Sequence, residues 1–281
     1  VSAVGLGAGR IGGPETRDAD IDRLVGGALD AGVTLFDTAR SYGLSEERLG
    51  RALVGRRDRA VLSTKLGYGV AGVADWTGAS VSAGVDGALA RLQTDCLDVV
   101  HLHSCGLDVL ERGDVVTALR RAVEAGKVRV AAYAGEGAAL AWAVRSGAFG
   151  AVQCSVSVVD QAELGGAVAA ARARGIGVLA KRPLGNAPWR HDAPPAAPDV
   201  AEAWHRFRLL DLDARGLAWP DLCARFAAHV PGVDSILVGT ARLTHLLEVV
   251  AAVAAGPLDP AHIAAIQGAW AQAGAGWPGR T

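Results

Sequence analysis

One pattern, repeated eight times, restricts the fold more than anything else in the chain: a short apolar run, then a helical stripe. The runs are Ala3–Leu6, Val33–Phe36, Ala60–Thr64, Leu97–Leu102, Val128–Tyr133, Ala151–Cys154, Ile176–Ala180 and Ser235–Val238. Each has strand length, and the stretches between them place apolar residues at helical spacing. Ile21, Leu24, Val25, Ala28 and Leu29 form the first stripe, ended by Gly32. Val81, Val85, Leu89 and Leu92 form a later one, as do Val115, Val116, Leu119 and Val123 before Gly126. Helical crossovers between consecutive strands impose parallel pairing. Eight such units predict an α/β fold closed into a (β/α)8 TIM barrel.

The longest gap between runs, Lys181 to Asp234, holds Pro183, Pro188, Pro194, Pro195 and Pro198. Its first half reads as a long loop over the barrel mouth, and Leu217–Val230 as the helix behind it. Pro260–Gly274 reads as an extra C-terminal helix. No linker or repeat interrupts the chain, so residues 1–281 are expected to form a single domain.

Composition removes several functions. With 28 basic against 29 acidic residues, nothing favours a nucleic-acid or membrane-surface partner. The most apolar window, Leu246–Leu258, is broken by Glu248 and too short to span a bilayer. No leader-like basic and apolar start is visible. Cys96, Cys105, Cys154 and Cys223 are scattered without a C-x-x-C pair, which predicts reduced thiols and a cytoplasmic protein. No acid or histidine cluster has metal spacing, so no metal is expected.

Chemistry in such barrels gathers at the C-terminal strand ends. Asp37 follows the second run, with Tyr42 on the loop beyond it; Lys65 ends the third and His103 the fourth. A phenol with a pKa near 10 can give a proton to a developing alkoxide. A neighbouring ammonium favours the tyrosinate, and a paired aspartate keeps that ammonium charged. A histidine beside them can orient a carbonyl. The four suit carbonyl reduction, given a hydride from elsewhere. His101 lies two residues before His103, hence on the same face but deeper, and reads as a packed interior histidine. Ser45, followed by Glu46 and Glu47, reads as a helix N-cap.

Gly7-Ala-Gly-Arg-Ile-Gly12 satisfies the dinucleotide glycine pattern, but Gly13-Pro14 follows where a helix should open. Gly67-Tyr-Gly-Val-Ala-Gly72 satisfies it as well. Both read as mouth loops.

The stretch Leu35-Phe-Asp-Thr-Ala-Arg-Ser-Tyr-Gly43, together with Ser45-Glu-Glu-Arg-Leu-Gly50, Ser63-Thr-Lys65 and Asp98-Val-Val-His-Leu-His-Ser104, resembles the aldo-keto reductase family. Gly126-Lys-Val-Arg129, Pro183-Leu-Gly185 and Val238-Gly-Thr240 extend the likeness over essentially the whole chain. The resemblance implies a cytoplasmic NADPH-dependent oxidoreductase, with NADH as the alternative, acting without metal on an aldehyde, ketone or sugar. It assigns Tyr42 as proton donor, with Asp37, Lys65 and His103 completing a tetrad. It also implies cofactor contacts at Gly7 and Ala8, at Gln153 for the carboxamide, and at Lys181, Arg182, Pro183 and Leu184. Gly239, Thr240, Arg242, His245 and Glu248 fall in its adenosine-phosphate region. Ala134, Lys181 and Val249 depart from its usual serine, aromatic residue and asparagine. Expected pocket walls are Arg10, Trp76 and Cys105, with Trp189, His191 and Trp204 in the long loop above. Two rival functions fit the same barrel: a Schiff-base lyase using Lys65, and a non-catalytic nucleotide-sensing or partner-binding protein.

Overall fold

The computed structural model describes residues 1–280. Eight strands appear where the apolar runs predict them. They are β1 (Val4–Gly7), β2 (Leu35–Asp37), β3 (Val61–Leu66), β4 (Leu97–His103), β5 (Val128–Ala134), β6 (Ala151–Ser155), β7 (Gly177–Lys181) and β8 (Ser235–Gly239). All pair in parallel in sequence order, and β1 returns to β8, with Leu6 opposite Val238 and Gly7 opposite Gly239. The sheet is therefore a closed (β/α)8 barrel.

Between the strands run α1 (Asp18–Asp30), α2 (Ser45–Ala52), α3 (Gly78–Leu92), α4 (Leu107–Arg112), α5 (Asp114–Glu124), α6 (Gly137–Ser146) and α7 (Ala169–Ala173). After β7 come α8 (Pro198–Leu210) and α9 (Trp219–His229), and after β8 come α10 (Leu243–Ala254) and α11 (Pro260–Ala269). The helical stripes bury their apolar faces on the barrel wall in one continuous core that includes Ile21, Leu24, Val85, Leu119, Val152 and Leu246. Inside the barrel, Leu35, Leu179 and Leu237 form a small plug with Val61. Gly5 makes room for it: a Cβ there would stand 2.9 Å from Leu237 and 3.0 Å from Leu35.

The structure corrects three expectations. The first half of the proline-rich gap is not all loop, because Pro198 opens the 13-residue helix α8, a position where its fixed φ and missing N–H cost nothing. Ser45 is the first residue inside α2 and does not cap it; its hydroxyl donates to the Ala8 carbonyl and accepts from Thr38 instead. Trp189 does not roof the mouth but stacks on Trp219 and meets Phe207 edge-on in a second apolar cluster that anchors α8, α9 and α11. All four cysteines are free thiols, three of them buried. Among the described residues no helix is long and apolar enough to cross a membrane.

Candidate active site

The mouth of the barrel is assembled by the alternation of each strand. Side chains two residues apart share a face, so β3 aims Ser63 and Lys65 inward and β4 aims His101 and His103. Asp37 is 4% exposed and Lys65 2%, and they form an ion pair at 2.5 Å. Asp37 also accepts hydrogen bonds from Ser63 at 2.7 Å and from the Gln153 amide at 3.1 Å. The Lys65 ammonium donates a further bond to the Thr38 carbonyl at 3.0 Å.

These partners decide the ionisation. Burial alone would raise the Asp37 carboxyl, but Lys65 above all holds it below the ordinary carboxylate value. Burial likewise opposes charge on Lys65, yet Asp37, followed by Tyr42, keeps its pKa above the usual value. A buried pair is stable only when its remaining hydrogen-bond capacity is met, and here three donors converge on one carboxylate.

Tyr42 is half-buried, and the Lys65 ammonium lies 5.2 Å from its ring centroid. His103 meets the same ring edge-on at 6.1 Å. Burial, then the Lys65 charge, pushes His103 down to about 3, which favours the neutral imidazole. His101 is fully buried, sits 3.1 Å from Ser63 and is pushed down by burial to about 4, in keeping with an interior role. The structure thus brings Asp37, Tyr42, Lys65 and His103 together.

The glycine-rich loop after β1 packs against this cluster. Gly9 faces the Tyr42 ring, and a Cβ on Gly12 would fall 1.6 Å from the Tyr42 carbonyl oxygen, so only glycine lets the two loops touch. The buried Arg48 guanidinium fastens the same loop through the carbonyls of Ile11, Gly13 and Thr16. Glu46 ties α2 to the barrel, accepting from Thr64 at 2.6 Å and from Arg91 at 2.6 Å. The acidic and basic residues after Ser45 therefore hold the Tyr42 loop in place.

On the β5–β7 side of the mouth, Lys181 pairs with Glu136 at 3.2 Å, and Glu136 also accepts the Ser155 backbone N–H at 2.8 Å. Its other oxygen is buried without a partner. Burial pushes the Glu136 carboxyl up to about 7 and pulls Lys181 down. The C-terminal segment folds over this rim. The Arg280 carbonyl accepts from Ser155 and from Arg182, each at 2.8 Å, while the Arg280 side chain reaches Glu202 and the Asp199 carbonyl.

The remaining expected contacts divide. At the end of β8, the side of Gly239 is open space, Arg242 is exposed with no side-chain partner among the described residues, and no side chain caps α10. Thr240 caps its own turn by accepting the Arg242 N–H at 3.0 Å. His245 is half-buried and Glu248 exposed on the same helix, Pro183 is buried and Leu184 half-buried, and Gly7 lies against Gly239. Ala8, by contrast, is fully buried in the core, which leaves its side chain no face to offer a ligand. Cys105 also lies in the packed core, 3% exposed and pushed up by burial to about 12, so it is not an open wall. Arg10 is exposed at the mouth, and Trp76 is half-buried against Tyr68. No group of residues among those described could hold a metal ion.

Sequence reasoning missed Ser63, Tyr68, Glu136 and Arg280. Ser63 was findable, since it precedes Lys65 by one strand period. Tyr68 and Glu136 lie past their strand ends, where alternation no longer says which way a side chain points. Arg280 reaches the rim across a sequence separation that no local pattern records.

Backbone strain also collects at this end of the barrel. Trp76, Ser104, Arg182, Asn186 and Ala187, all in loops that follow strands, have φ between +53° and +65° without being glycine. Left-handed non-glycine residues persist only where surroundings fix them, and they cluster at functional sites.

A closed parallel barrel with an ionised pair, a phenol and a neutral imidazole at its strand ends is the architecture of an enzyme. The chain belongs to the aldo/keto reductase family, whose model matches residues 3–271. It is 28% identical to L-galactose dehydrogenase of Arabidopsis thaliana over 272 residues, covering 90% of this chain and 84% of that one. It is 33% identical to a 6-dehydroglucose reductase of Novosphingobium aromaticivorans over 141 residues, 46% of each protein. Among solved structures, the holo form of a Bacillus halodurans aldo-keto reductase superposes with a TM-score of 0.84 at 23% identity, covering 98% of this chain and 93% of that one. A Klebsiella pneumoniae aldo/keto reductase in complex with NADP and acetate superposes with a TM-score of 0.75 at 25% identity, covering 95% and 90%. The family is one of oxidoreductases.

Proposed function

We propose that this chain is a cytoplasmic, single-domain NADPH-dependent oxidoreductase that interconverts a carbonyl group and an alcohol, with Tyr42 as proton donor. The observation that carries the reading is the buried Asp37–Lys65 pair, whose ammonium lies 5.2 Å from the Tyr42 ring. When bound, the nicotinamide supplies the hydride. The residues of this chain manage the oxygen. Tyr42 gives its phenolic proton to that oxygen as negative charge builds, and Lys65 stabilises the tyrosinate left behind. Asp37 keeps the ammonium charged and aimed, and the neutral His103 holds the carbonyl in place.

The residues present suit a phosphate-bearing cofactor. The open side of Gly239, the uncapped N-terminus of α10 and the unpaired Arg242 together form an anion-accepting end, with Thr240 and His245 beside them. Gln153, Lys181 and Arg182 would hold the nicotinamide end. The NADP complex of the Klebsiella protein supports NADPH over NADH. Two relatives named for sugar chemistry support a hydroxylated aldehyde, ketone or sugar as substrate. The Schiff-base alternative lacks such support, because a nucleophilic amine must shed its proton and Asp37 holds it on Lys65.

The test is absorbance at the reduced-nicotinamide band across a panel of aldehydes, ketones and aldoses, with NADPH and with NADH. Turnover with at least one small carbonyl or sugar is expected. Tight NADPH binding with no turnover anywhere in the panel would instead make the chain a nucleotide-sensing barrel.

A further inference from the structure

Tyr68 stands three residues past Lys65, on the loop after β3, and no part of the mechanism above uses it. Its hydroxyl lies 2.9 Å from His103 Nδ1 and 3.1 Å from the hydroxyl of Ser41, which is exposed. Its ring stacks on the His103 ring with centroids 5.6 Å apart and planes 26° from parallel. Trp76 braces the other side at 5.3 Å. The brace is itself fixed: Trp76 has φ +57°, donates its N–H to the Gly67 carbonyl at 2.7 Å and accepts from Arg112 at 2.9 Å. A Cβ on Gly67 would fall 2.3 Å from the Trp76 ring, so a glycine is required beneath it. Gly67, Trp76, Tyr68 and His103 thus form one stack, each member seated on the next.

We propose that Tyr68 is a positioning residue that locks His103 in the tautomer carrying its proton on Nε2. A neutral imidazole has one N–H and one acceptor nitrogen, and the bond made at one nitrogen sets the state of the other. A phenol is the better donor and an imidazole nitrogen the better acceptor, so the 2.9 Å contact favours O–H···Nδ1 over N–H···O. The Tyr68 oxygen also meets the exposed Ser41 hydroxyl, a contact in which either oxygen can donate, so giving the phenolic proton to Nδ1 leaves that contact satisfiable. Among the described residues the hydrogen bond of the His103 ring is the one at Nδ1. Nε2 is left as an uncharged N–H donor for a carbonyl oxygen, on a ring whose centroid lies 6.1 Å from that of Tyr42. The opposite tautomer would present a lone pair to that oxygen and repel it. The catalytic consequence rests on the carbonyl-reductase reading; the tautomer itself does not.

The experiment is 15N NMR of histidine-labelled protein, with His103 assigned through His103→Gln, in wild type and in Tyr68→Phe. Wild type is expected to show protonated Nε2 and bare Nδ1 on His103. Tyr68→Phe keeps the ring stack, and His103 is expected to become a tautomer mixture while other histidines stay unmoved. In parallel, kcat/KM should fall about 10- to 100-fold, through kcat more than KM, with the NADPH dissociation constant within about twofold of wild type. A wild-type His103 protonated on Nδ1 would overturn the proposal, and so would a Tyr68→Phe protein with unchanged tautomer and turnover. Should Tyr68→Phe fail to fold, the wild-type spectrum alone decides. Absence of turnover in wild type, with the Nε2–H tautomer observed, would sink the reductase reading and leave the tautomer lock standing.

Discussion

The mouth of this barrel carries two buried acid–lysine pairs, and they behave oppositely. Between β2 and β3, Asp37 and Lys65 reinforce each other: the acid is held below its ordinary pKa and the amine above. Between β5 and β7, burial prevails, raising Glu136 to about 7 and lowering Lys181. Lys181 is the more exposed of the two amines, 18% against 2% for Lys65, yet it is the one whose charge is disfavoured, so burial of the amine does not explain the contrast. What differs is how fully each carboxylate is solvated by the protein. Asp37 takes hydrogen bonds from Lys65, Ser63 and Gln153. Glu136 has Lys181 and one backbone N–H on one oxygen, and nothing on the other. A paired charge survives in a low-dielectric site when its lone pairs are filled, and otherwise drifts toward neutrality.

The sharpest way to break the contrast is Asp37→Asn, which strands the Lys65 ammonium at a site 2% exposed. A loss of about 3–5 kcal/mol in unfolding free energy is expected from urea titration. The matching change on the other side, Glu136→Gln with Lys181→Met, should be neutral or stabilising by about 1–4 kcal/mol, because it replaces a poorly solvated pair with uncharged groups. If both variants lose equally, the distinction between the two pairs is wrong. Ser63→Ala removes one donor from Asp37 without touching Lys65 and should cost about 1–3 kcal/mol.

A smaller effect has a definite sign in pH. Folded Glu136 keeps its proton up to about 7, whereas the unfolded chain releases it near the ordinary glutamate value of 4.5. The native state therefore binds more protons across that window, and stability falls as pH rises through it. Asp37, held low in the fold, contributes in the other sense: its stabilisation is complete above the ordinary carboxylate pKa and lost as pH falls through its folded value. The melting temperature of Glu136→Gln should accordingly vary less than that of wild type between about pH 5 and about pH 7. A steeper profile would contradict the assignment.

How much was legible in the sequence follows the same division. The barrel was readable because each strand and stripe declares its own period, and the eight boundaries differ from the apolar runs by a residue or two. Asp37, Lys65 and His103 were readable because they end strands, where alternation and barrel geometry fix their direction. The Glu136–Lys181 pair was not, because Lys181 read as a cofactor contact in place of an aromatic residue and its partner lies beyond the end of β5. The closing of that rim by Arg280 depends on contacts 98 and 125 residues apart in sequence. Helix α8 was hidden by its prolines, one of which opens the helix it seemed to forbid. Ala8 and Cys105 turn their side chains into the core, which the sequence does not show, because a small residue in a mouth loop reads the same whether it faces the ligand or the core.

The most direct test of the central claim is steady-state turnover of Tyr42→Phe on a substrate the wild type reduces, with NADPH affinity measured by fluorescence in the same samples. The phenyl ring preserves the packing against Gly9 and His103 and removes the hydroxyl that carries the proton. Turnover is expected to fall by about 10²- to 10⁴-fold with cofactor affinity within about twofold of wild type. Turnover that stays within tenfold of wild type would show that another group delivers the proton, and the account built on Tyr42 and Lys65 would be wrong.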